Sequence, residues 1–285
     1  MFSYQHGFHA GNFADVLKHV VLLALLDALQ RKDKPFFALD THGGDGMYAL
    51  DSAQALKVGE YRDGVARLWG KRGLHPAIDT WLDAVAAENP TGELRRYPGS
   101  PRLIARHLRG KDRLVAVEGH GSVFPRLVEN LQDMPGSRAE HGDGYQALKA
   151  HLPPACGRGL VLMDPSYETR SEYQRLNEAL RLIHKRFRQG LVAAWYPLLP
   201  NKPAEPWLQE VAGLGIADIL VAELSVAAAS AERGLYGSGM LLVNPPWGMD
   251  DLLREVLPLL HAHLSPSGAG GWRVSVLVDE QGRRR

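Results

Sequence analysis

The fold of this chain is restricted most by the way short apolar runs alternate with stretches of helical periodicity. In residues 13–30, apolar side chains recur at the spacing of one helix face, and Asn12 or Asp15 can cap the start of that helix. The apolar runs, separated by helical periods such as 173–187, are typical of buried strands joined by crossover helices. We predict seven strands, at 36–39, 114–117, 159–163, 191–195, 219–224, 239–243 and 272–278.

This alternation predicts an α/β fold in which a mostly parallel, seven-stranded sheet is covered by helices on both faces. One interval breaks the rhythm, because about 65 residues separate the glycines at 43–46 from the next strand, far more than a crossover helix needs. The segments GVARLWG and AIDTWLDAVAAEN within it have helical patterns. We therefore predict a single domain over residues 1–285, with a helical insertion subdomain at 48–98.

Composition limits the class of protein and its location. The 33 basic and 32 acidic residues nearly cancel, so any footprint for nucleic acid must be local. The single cysteine, Cys156, excludes an intrachain disulfide and fits a reduced, cytoplasmic compartment. The N-terminus does not resemble a signal peptide, and no apolar run approaches the roughly 20 residues that span a bilayer. We expect a cytoplasmic monomer that contacts no membrane.

Three polar motifs fall at or near predicted strand ends, where open parallel sheets bind ligands. The turn LDTHGGDG at 39–46 lets the backbone approach a ligand closely, and Glu118 can accept hydrogen bonds from both ribose hydroxyls of a nucleoside cofactor. Asp143, followed by Gly144, can accept a hydrogen bond from an adenine amino group. Taken singly, each motif is equally an ordinary turn or a surface carboxylate.

The fourth motif, Asp164-Pro165-Ser166-Tyr167, directly follows the buried strand at 159–163 and meets a specific chemical need. The exocyclic amine of adenine is a poor nucleophile because its lone pair is delocalised into the ring. The Asp164 carboxylate and the Pro165 carbonyl can hold its N–H bonds and turn the nitrogen towards a methyl donor, while Tyr167 stacks on the flipped-out base. With the other three motifs in order, this predicts S-adenosylmethionine-dependent methylation of an adenine amine by direct transfer, without a metal.

Several alternatives stay open from the residues alone. The same amine motif serves DNA adenine and protein glutamine methyltransferases, and a non-catalytic RNA-binding protein can retain the fold. A nicotinamide oxidoreductase is disfavoured, because the glycines do not form G-x-G-x-x-G. The twelve histidines show no H-E-x-x-H or comparable spacing, so no metal is expected.

A second motif that resembles the amine motif and two basic runs are also considered as parts of the site. Asn244-Pro245-Pro246-Trp247 matches the amine motif on letters, but it follows a late strand, so we interpret it as a structural strand exit. The basic runs at 95–113 and 181–188 flank the expected cleft and can hold phosphates, although such runs are usually solvated faces.

The chain carries several distinctive motifs beyond these. They are YxHxFHAGN at 4–12, ADVLKH at 14–19, DKPF at 33–36, LDTH at 39–42, YPGSP at 97–101, DP at 164–165, WYP at 195–197 and SGM at 238–240. With them the chain resembles, over nearly its whole length, the ribosomal RNA large subunit methyltransferase J family, enzymes that methylate adenine N6 in 23S rRNA. The resemblance implies a class I, Rossmann-like methyltransferase fold with S-adenosylmethionine as cofactor and 23S rRNA as partner.

The resemblance also implies roles for individual residues. Those that would bind S-adenosylmethionine are His19, His42, Ser100, Glu118, Asp143, Gly144 and Asp164. Asp164 would also hold the target amine, and Tyr4 would contact the RNA substrate. His6 and Lys18 would lie near the active site, and we assign them with Tyr4 to the RNA-binding residues.

Two positions depart from the family pattern. Ser166 replaces the second proline of Asp-Pro-Pro-Tyr, which removes a fixed φ and leaves the loop less pre-organised. Asp45 stands where small residues are common and adds a negative charge near the expected cofactor.

Overall fold

The structure, a computed structural model, describes residues 5–169, 171–229 and 234–284. Its helices are α1 (Phe13–Gln30), α2 (Ala53–Val58), α3 (Val65–Leu68), α4 (Pro76–Ala86), α5 (Ser100–Arg106), α6 (Phe124–Leu131), α7 (Gly144–His151), α8 (Glu172–Arg186), α9 (Ala204–Ala212) and α10 (Met249–Leu264). Its strands are β1 (Phe37–Asp40), β2 (Met47–Ala49), β3 (Arg96–Pro98), β4 (Arg113–Glu118), β5 (Ser137–His141), β6 (Gly159–Met163), β7 (Leu191–Leu198), β8 (Ile219–Ser225), β9 (Gly237–Val243) and β10 (Gly271–Val278).

Helix α1 has the bounds predicted from its periodicity, and Asn12 caps it by accepting a hydrogen bond from the Asp15 backbone N–H at 2.9 Å. Nearly all of its residues are buried, because the helix is packed between the sheet strand β9 and the helices α4, α5 and α10. Polar side chains in its first turns, Asp15, Lys18 and His19, are buried with the apolar ones.

The large sheet has the strand order β10-β8-β9-β7-β6-β1-β4-β5. The run from β7 to β5 is parallel throughout, whereas β9 is antiparallel to both β7 and β8, and β10 is antiparallel to β8. The predicted α/β class and mostly parallel sheet are confirmed.

The predicted number of seven strands is wrong, because the described residues place eight in this sheet. The strand that was missed is β5, whose sequence SRAEH has a single apolar residue. It lies at the end of the strand order, where its side chains stay half-exposed, so burial imposes no apolar run on it.

Alternate side chains of the central strands enter two separate apolar layers, as the period of two along a strand requires. Ala38 and Leu162 belong to the layer that α1, α4, α5 and α10 cover. Leu39 and Met163, their neighbours in sequence, belong to the layer beneath α7, α8 and α9. Helices therefore cover both faces of the sheet, as predicted.

The segment at 48–98, predicted as a helical insertion, contains α2, α3 and α4 between the antiparallel pair of strands β2 and β3. It packs against the N-terminal segment, the residues that precede α1, through Gly64 and Val65. The Val65 N–H donates to the Gly11 carbonyl at 2.8 Å, and a Cβ on Gly64 would lie 2.0 Å from that carbonyl oxygen. Only glycine permits this approach.

Within the described ranges, none of the helices combines the length and apolar character needed to cross a bilayer.

Candidate active site

A cleft of about 730 Å³ opens at the carboxyl ends of β1, β4, β5 and β6. The chain leaves β1 towards β4 on one side and later places β6 on the other side of β1, so this is the point at which strand order reverses. The predicted site residues that line the cleft are His6, Lys18, His19, His42, Ser100, Glu118, Asp143, Gly144, Asp164, Pro165 and Tyr167. Tyr4, the remaining predicted residue, lies outside the described residues.

The Glu118 carboxylate at the end of β4 is held by two backbone amides. The Gly44 N–H donates to Oε2 at 2.9 Å and the His120 N–H donates to Oε1 at 2.6 Å. Gly44 has φ +58°, and a Cβ there would lie 2.3 Å from the Tyr48 hydroxyl. The glycine-rich turn after β1 therefore orients the Glu118 carboxylate at the end of the neighbouring strand β4.

Asp143 caps the start of α7 with its own side chain. Its Oδ1 accepts hydrogen bonds from the N–H groups of Tyr145 and Gln146, and its Oδ2 accepts one from Arg175. Burial works to raise the pKa of Asp143, but the amides and the Arg175 guanidinium hold it below its usual value. This carboxylate is thus already engaged before any ligand arrives.

Gly144, the next residue, lies against the loop that follows β1. A Cβ at this position would be 2.0 Å from the Thr41 carbonyl oxygen, which is far inside van der Waals contact. The close approach brings the ends of β1 and β5 together and forms one wall of the cleft.

Two histidines in the cleft are neutral. Burial lowers the pKa of His42 to about 4 and that of His19 to about 3. The Thr41 hydroxyl donates to the Leu162 carbonyl and so accepts from His42 Nδ1 at 2.8 Å, which leaves the His42 Nε2 lone pair as an acceptor. His19 Nδ1 lies 2.8 Å from the Tyr97 hydroxyl, and its Nε2 is buried without a hydrogen-bond partner among the described residues.

Asp40, the last residue of β1, is fully buried behind the cleft. Burial raises its pKa to about 6, against the opposing effect of the Ser100 side chain and of the hydrogen bond from the His42 backbone N–H. Ser100, which spacing alone does not single out, lines the cleft and acts on this buried carboxyl group at the strand end.

Asp164, at the end of β6, is joined to the N-terminal helix by an ion pair. Lys18 Nζ lies 2.6 Å from Asp164 Oδ2 and 2.7 Å from Asp15 Oδ1. Burial works to lower the pKa of Lys18, but the two carboxylates raise it above its usual value, so the side chain is an ammonium. Among the described residues no donor occupies Asp164 Oδ1.

Tyr167 is held in a sparsely populated backbone conformation, with φ +53°. Its hydroxyl donates to the Trp195 carbonyl at 2.6 Å, and its ring contacts those of Trp195 and Tyr173. These contacts fix an aromatic ring beside Asp164 and the buried Pro165, even though Ser166 lacks the fixed φ of a second proline.

The additional charge of Asp45 is compensated. Arg126 of α6 donates to both Asp45 oxygens at 2.9 Å, from Nε and from Nη2. This bidentate pair lies at the rim of the cleft beside Glu118, and the Arg126 guanidinium opposes the negative charge that the sequence led us to expect there.

The Asn244-Pro245-Pro246-Trp247 motif, which matches the amine motif on letters, lies outside the cleft. Because β9 runs antiparallel to β7, its end at Val243 pairs with Val192, at the start of β7, so Asn244 lies at the sheet edge opposite to Asp164. Its side chain donates to the carbonyls of Arg188 and Gly190, which confirms a structural strand exit.

The arginines of the basic runs do not favour a phosphate contact at the cleft. Arg102 and Arg106 bond to Glu88, and Arg109 bonds to Asp112. The run at 181–188 lies in the second half of α8 and just beyond it, whereas the first half of that helix lines the cleft. The expectation that this run flanks the cleft is wrong, because α8 carries it to the opposite edge.

Sequence reasoning missed several residues that build the site: Asp15, Asp40, Arg126, Tyr145 and Arg175. Each acts on another side chain rather than on a ligand, so spacing along the chain does not reveal it. For example, Arg175 pairs with Asp143 and lies 4.2 Å from the Tyr145 ring centroid. Among the described residues, no group of three or more His, Cys, Asp or Glu side chains is arranged to hold a metal ion.

Residues 33–278 match the family model described as "Ribosomal RNA large subunit methyltransferase D, RlmJ". The chain is 42% identical over 280 residues to Ribosomal RNA large subunit methyltransferase J of Escherichia coli (strain K12), covering 98% of this chain and 100% of that protein. The protein of the same name from Haemophilus influenzae is 42% identical over 281 residues, with the same coverage. A crystal structure of a protein from Legionella pneumophila is similar with a TM-score of 0.87 and 32% identity, covering 94% of this chain and 98% of that one.

Proposed function

Because the chain belongs to the ribosomal RNA large subunit methyltransferase J family, as its motifs predicted, we propose that it methylates the N6 amine of an adenine in 23S rRNA with S-adenosylmethionine. One observation carries the choice of an amine. Asp164 presents an unoccupied carboxylate oxygen at the strand end beside an immobilised aromatic ring, while its other oxygen is held by Lys18.

The residues at the strand ends fit this cofactor. Glu118, held from behind by two amides, can accept hydrogen bonds from the ribose hydroxyls. His19 Nε2 is buried without a partner and His42 Nε2 is left as an acceptor, so both can bond to the methionine portion or the base. Asp143 with Gly144, and Ser100 beside Asp40, complete the proposed binding set. When bound, the cofactor would supply an electrophilic methyl group on a sulfonium.

The proposed chemistry at Asp164 needs no proton transfer before the methyl group moves. Asp164 Oδ1 and the Pro165 carbonyl accept the N–H bonds of the target amine, which orients the nitrogen and localises its lone pair. Tyr167 supplies the face on which the extruded adenine stacks. Positioning therefore accounts for most of the proposed rate enhancement.

The substrate side of the cleft is formed by the N-terminal segment. His6 Nε2 lies 2.8 Å from Asp15, and its ring contacts that of Tyr48 in the insertion. Lys18 is almost fully buried and touches Asp164, which favours a role inside the site over a contact with RNA phosphates. We propose that Tyr4 and His6 meet the RNA and that Lys18 supports the residue that holds the amine.

A methyl transfer assay with radiolabelled S-adenosylmethionine and separate RNA, DNA and protein fractions tests this function. We expect label in 23S rRNA, at an adenine that mass mapping finds unmethylated in cells lacking the protein. Label in DNA or in protein would favour the alternative substrates, and binding to RNA without binding the cofactor would favour a non-catalytic protein.

Asp164→Ala tests the role of the carboxylate. We expect methyl transfer to fall below detection while the dissociation constant for S-adenosylmethionine rises only modestly. Asp251→Ala, which removes an exposed aspartate on α10, is the matched control. Equal loss of transfer and of cofactor binding in Asp164→Ala would mean that Asp164 only builds the pocket.

We further propose that the enzyme is a monomer and that it acts in the cytoplasm, where ribosomal RNA is made and folded. Light scattering of the purified protein at micromolar concentration should give the mass of one chain; a stable dimer would contradict this.

A further inference from the structure

Asp15 is a carboxylate that connects residues 6–11 to the proposed amine-binding residue through Lys18. It is 2% exposed and lies in the first turn of α1. Its Oδ2 accepts hydrogen bonds from His6 Nε2 at 2.8 Å and from the Gly11 N–H at 2.9 Å, and its Oδ1 accepts from Lys18 at 2.7 Å. From the sequence, Asp15 was assigned no function other than a possible cap of α1.

Lys18 is shared between two carboxylates. Its ammonium lies between Asp15 and Asp164, at 2.7 and 2.6 Å. If Lys18 had Asp164 alone as partner, the buried pair would be neutral. The trio of Asp15, Lys18 and Asp164 by itself carries one net negative charge, and because Asp15 and Lys18 are almost fully buried, the interaction between their charges is strong.

That residual charge suits the chemistry of amine methylation. The nitrogen lone pair forms the new N–C bond as the S–C bonding pair returns to sulfur, so positive charge moves onto the nitrogen. A proton then leaves the nitrogen, first to the Asp164 carboxylate and then to water. An Asp164 that is only partly compensated by Lys18 stabilises this developing positive charge better than a neutralised one.

We propose that Asp15 is a positioning residue for the methyl transfer, which acts through Lys18 to keep the Asp164 carboxylate in place and electrostatically uncompensated. Burial works to raise the pKa of Asp15, but the hydrogen bond from His6 and the Lys18 ammonium hold it well below its usual value, so it remains a carboxylate at neutral pH. This inference rests on the proposed function.

The test is Asp15→Asn, which keeps the shape of the side chain and removes its charge. We expect kcat for RNA methylation to fall about 10- to 100-fold, with KM for RNA changed less than about threefold. Asp27→Asn, the same substitution farther along α1 and away from the cleft, is the matched control and should leave kcat unchanged. Wild-type kcat in a folded Asp15→Asn protein would overturn the proposal.

Binding gives a second measurement that does not depend on turnover. S-adenosylmethionine carries a sulfonium and S-adenosylhomocysteine does not, so a net negative trio favours the former. Calorimetry should show the preference for S-adenosylmethionine falling about three- to tenfold in Asp15→Asn. An unchanged preference would overturn the proposed electrostatic effect.

The Lys18→Met background separates action through Lys18 from a merely structural role. In that background Asp15→Asn should cause no further loss of kcat or of cofactor preference, whereas losses that multiply would overturn the proposal. This comparison needs only Lys18→Met and the double variant, so it remains available if Asp15→Asn alone does not fold. If the wild type itself does not methylate RNA, the proposed function fails. The preference for S-adenosylmethionine over S-adenosylhomocysteine still tests whether Asp15 acts electrostatically in the cleft.

Discussion

Gly144→Ala tests the close approach on which one wall of the cleft depends. A Cβ at Gly144 would lie 2.0 Å from the Thr41 carbonyl oxygen and 2.8 Å from the Thr41 carbonyl carbon. A carbon–oxygen contact needs about 3.3 Å, so the start of α7 and the loop after β1 must separate by about 1.3 Å. Both are main chain, so the strain cannot be relieved by turning a flexible side chain.

Overpacking of this kind costs about 1–3 kcal/mol, which for a chain of this size lowers the melting temperature by about 2–5 °C. A displacement of about 1 Å at the site should reduce methyl transfer roughly 100-fold. Calorimetric unfolding and a radiolabelled methyl transfer assay measure the two effects.

Gly142→Ala is the control for stability, because a Cβ at Gly142 would meet nothing within 4 Å and its φ is not positive. Its melting temperature should stay within about 1 °C of the wild type. If Gly144→Ala melts with the wild type as well, the contact with Thr41 does not hold the wall together and our description of the site is refuted.

Two further predictions concern Tyr167 and Asp40. Tyr167→Phe loses the bond to the Trp195 carbonyl, so we expect about 1 kcal/mol lower unfolding free energy in urea and a several-fold slower methyl transfer with unchanged cofactor affinity; wild-type values of both would contradict this. Burial raises the folded-state pKa of Asp40 from 3.8 to about 6, so its contribution to stability is present below about pH 4 and is lost as the pH rises through about 6. The unfolding free energy of Asp40→Asn relative to the wild type should therefore rise by up to about 3 kcal/mol between pH 4 and pH 8, and a difference that does not vary with pH would refute the buried acid.

Periodicity and the geometry of parallel sheets were enough to predict much of the architecture. Helix α1 was placed to the residue, because its apolar spacing and its Asn12 cap are both local signals. Glu118, Asp143 and Asp164 were expected to meet because the carboxyl ends of parallel strands share one edge, and the cleft contains all three. Asn244 was interpreted as a structural strand exit because it follows a late strand, and it lies at the opposite edge because β9 runs antiparallel to β7.

What sequence did not provide are pairings between distant side chains. Lys18 and Asp164 are 146 positions apart, and Asp45 and Arg126 are 81 apart, so no local pattern records either contact. Strand β5 was missed because an edge strand needs no apolar run. The engagement of Asp143 by Arg175 likewise depends on how α7 and α8 pack, which follows from the whole fold.

Helix α1 serves at once as a central support of the interior and as the source of Asp15, Lys18 and His19. In its first half, residues that pack the core alternate with residues that line the cleft, so we expect this stretch to tolerate substitutions least. A saturation screen scored by growth alone would merge losses of packing and losses of activity there. Protein abundance has to be read beside methylation for each variant before a loss at this helix is assigned to chemistry.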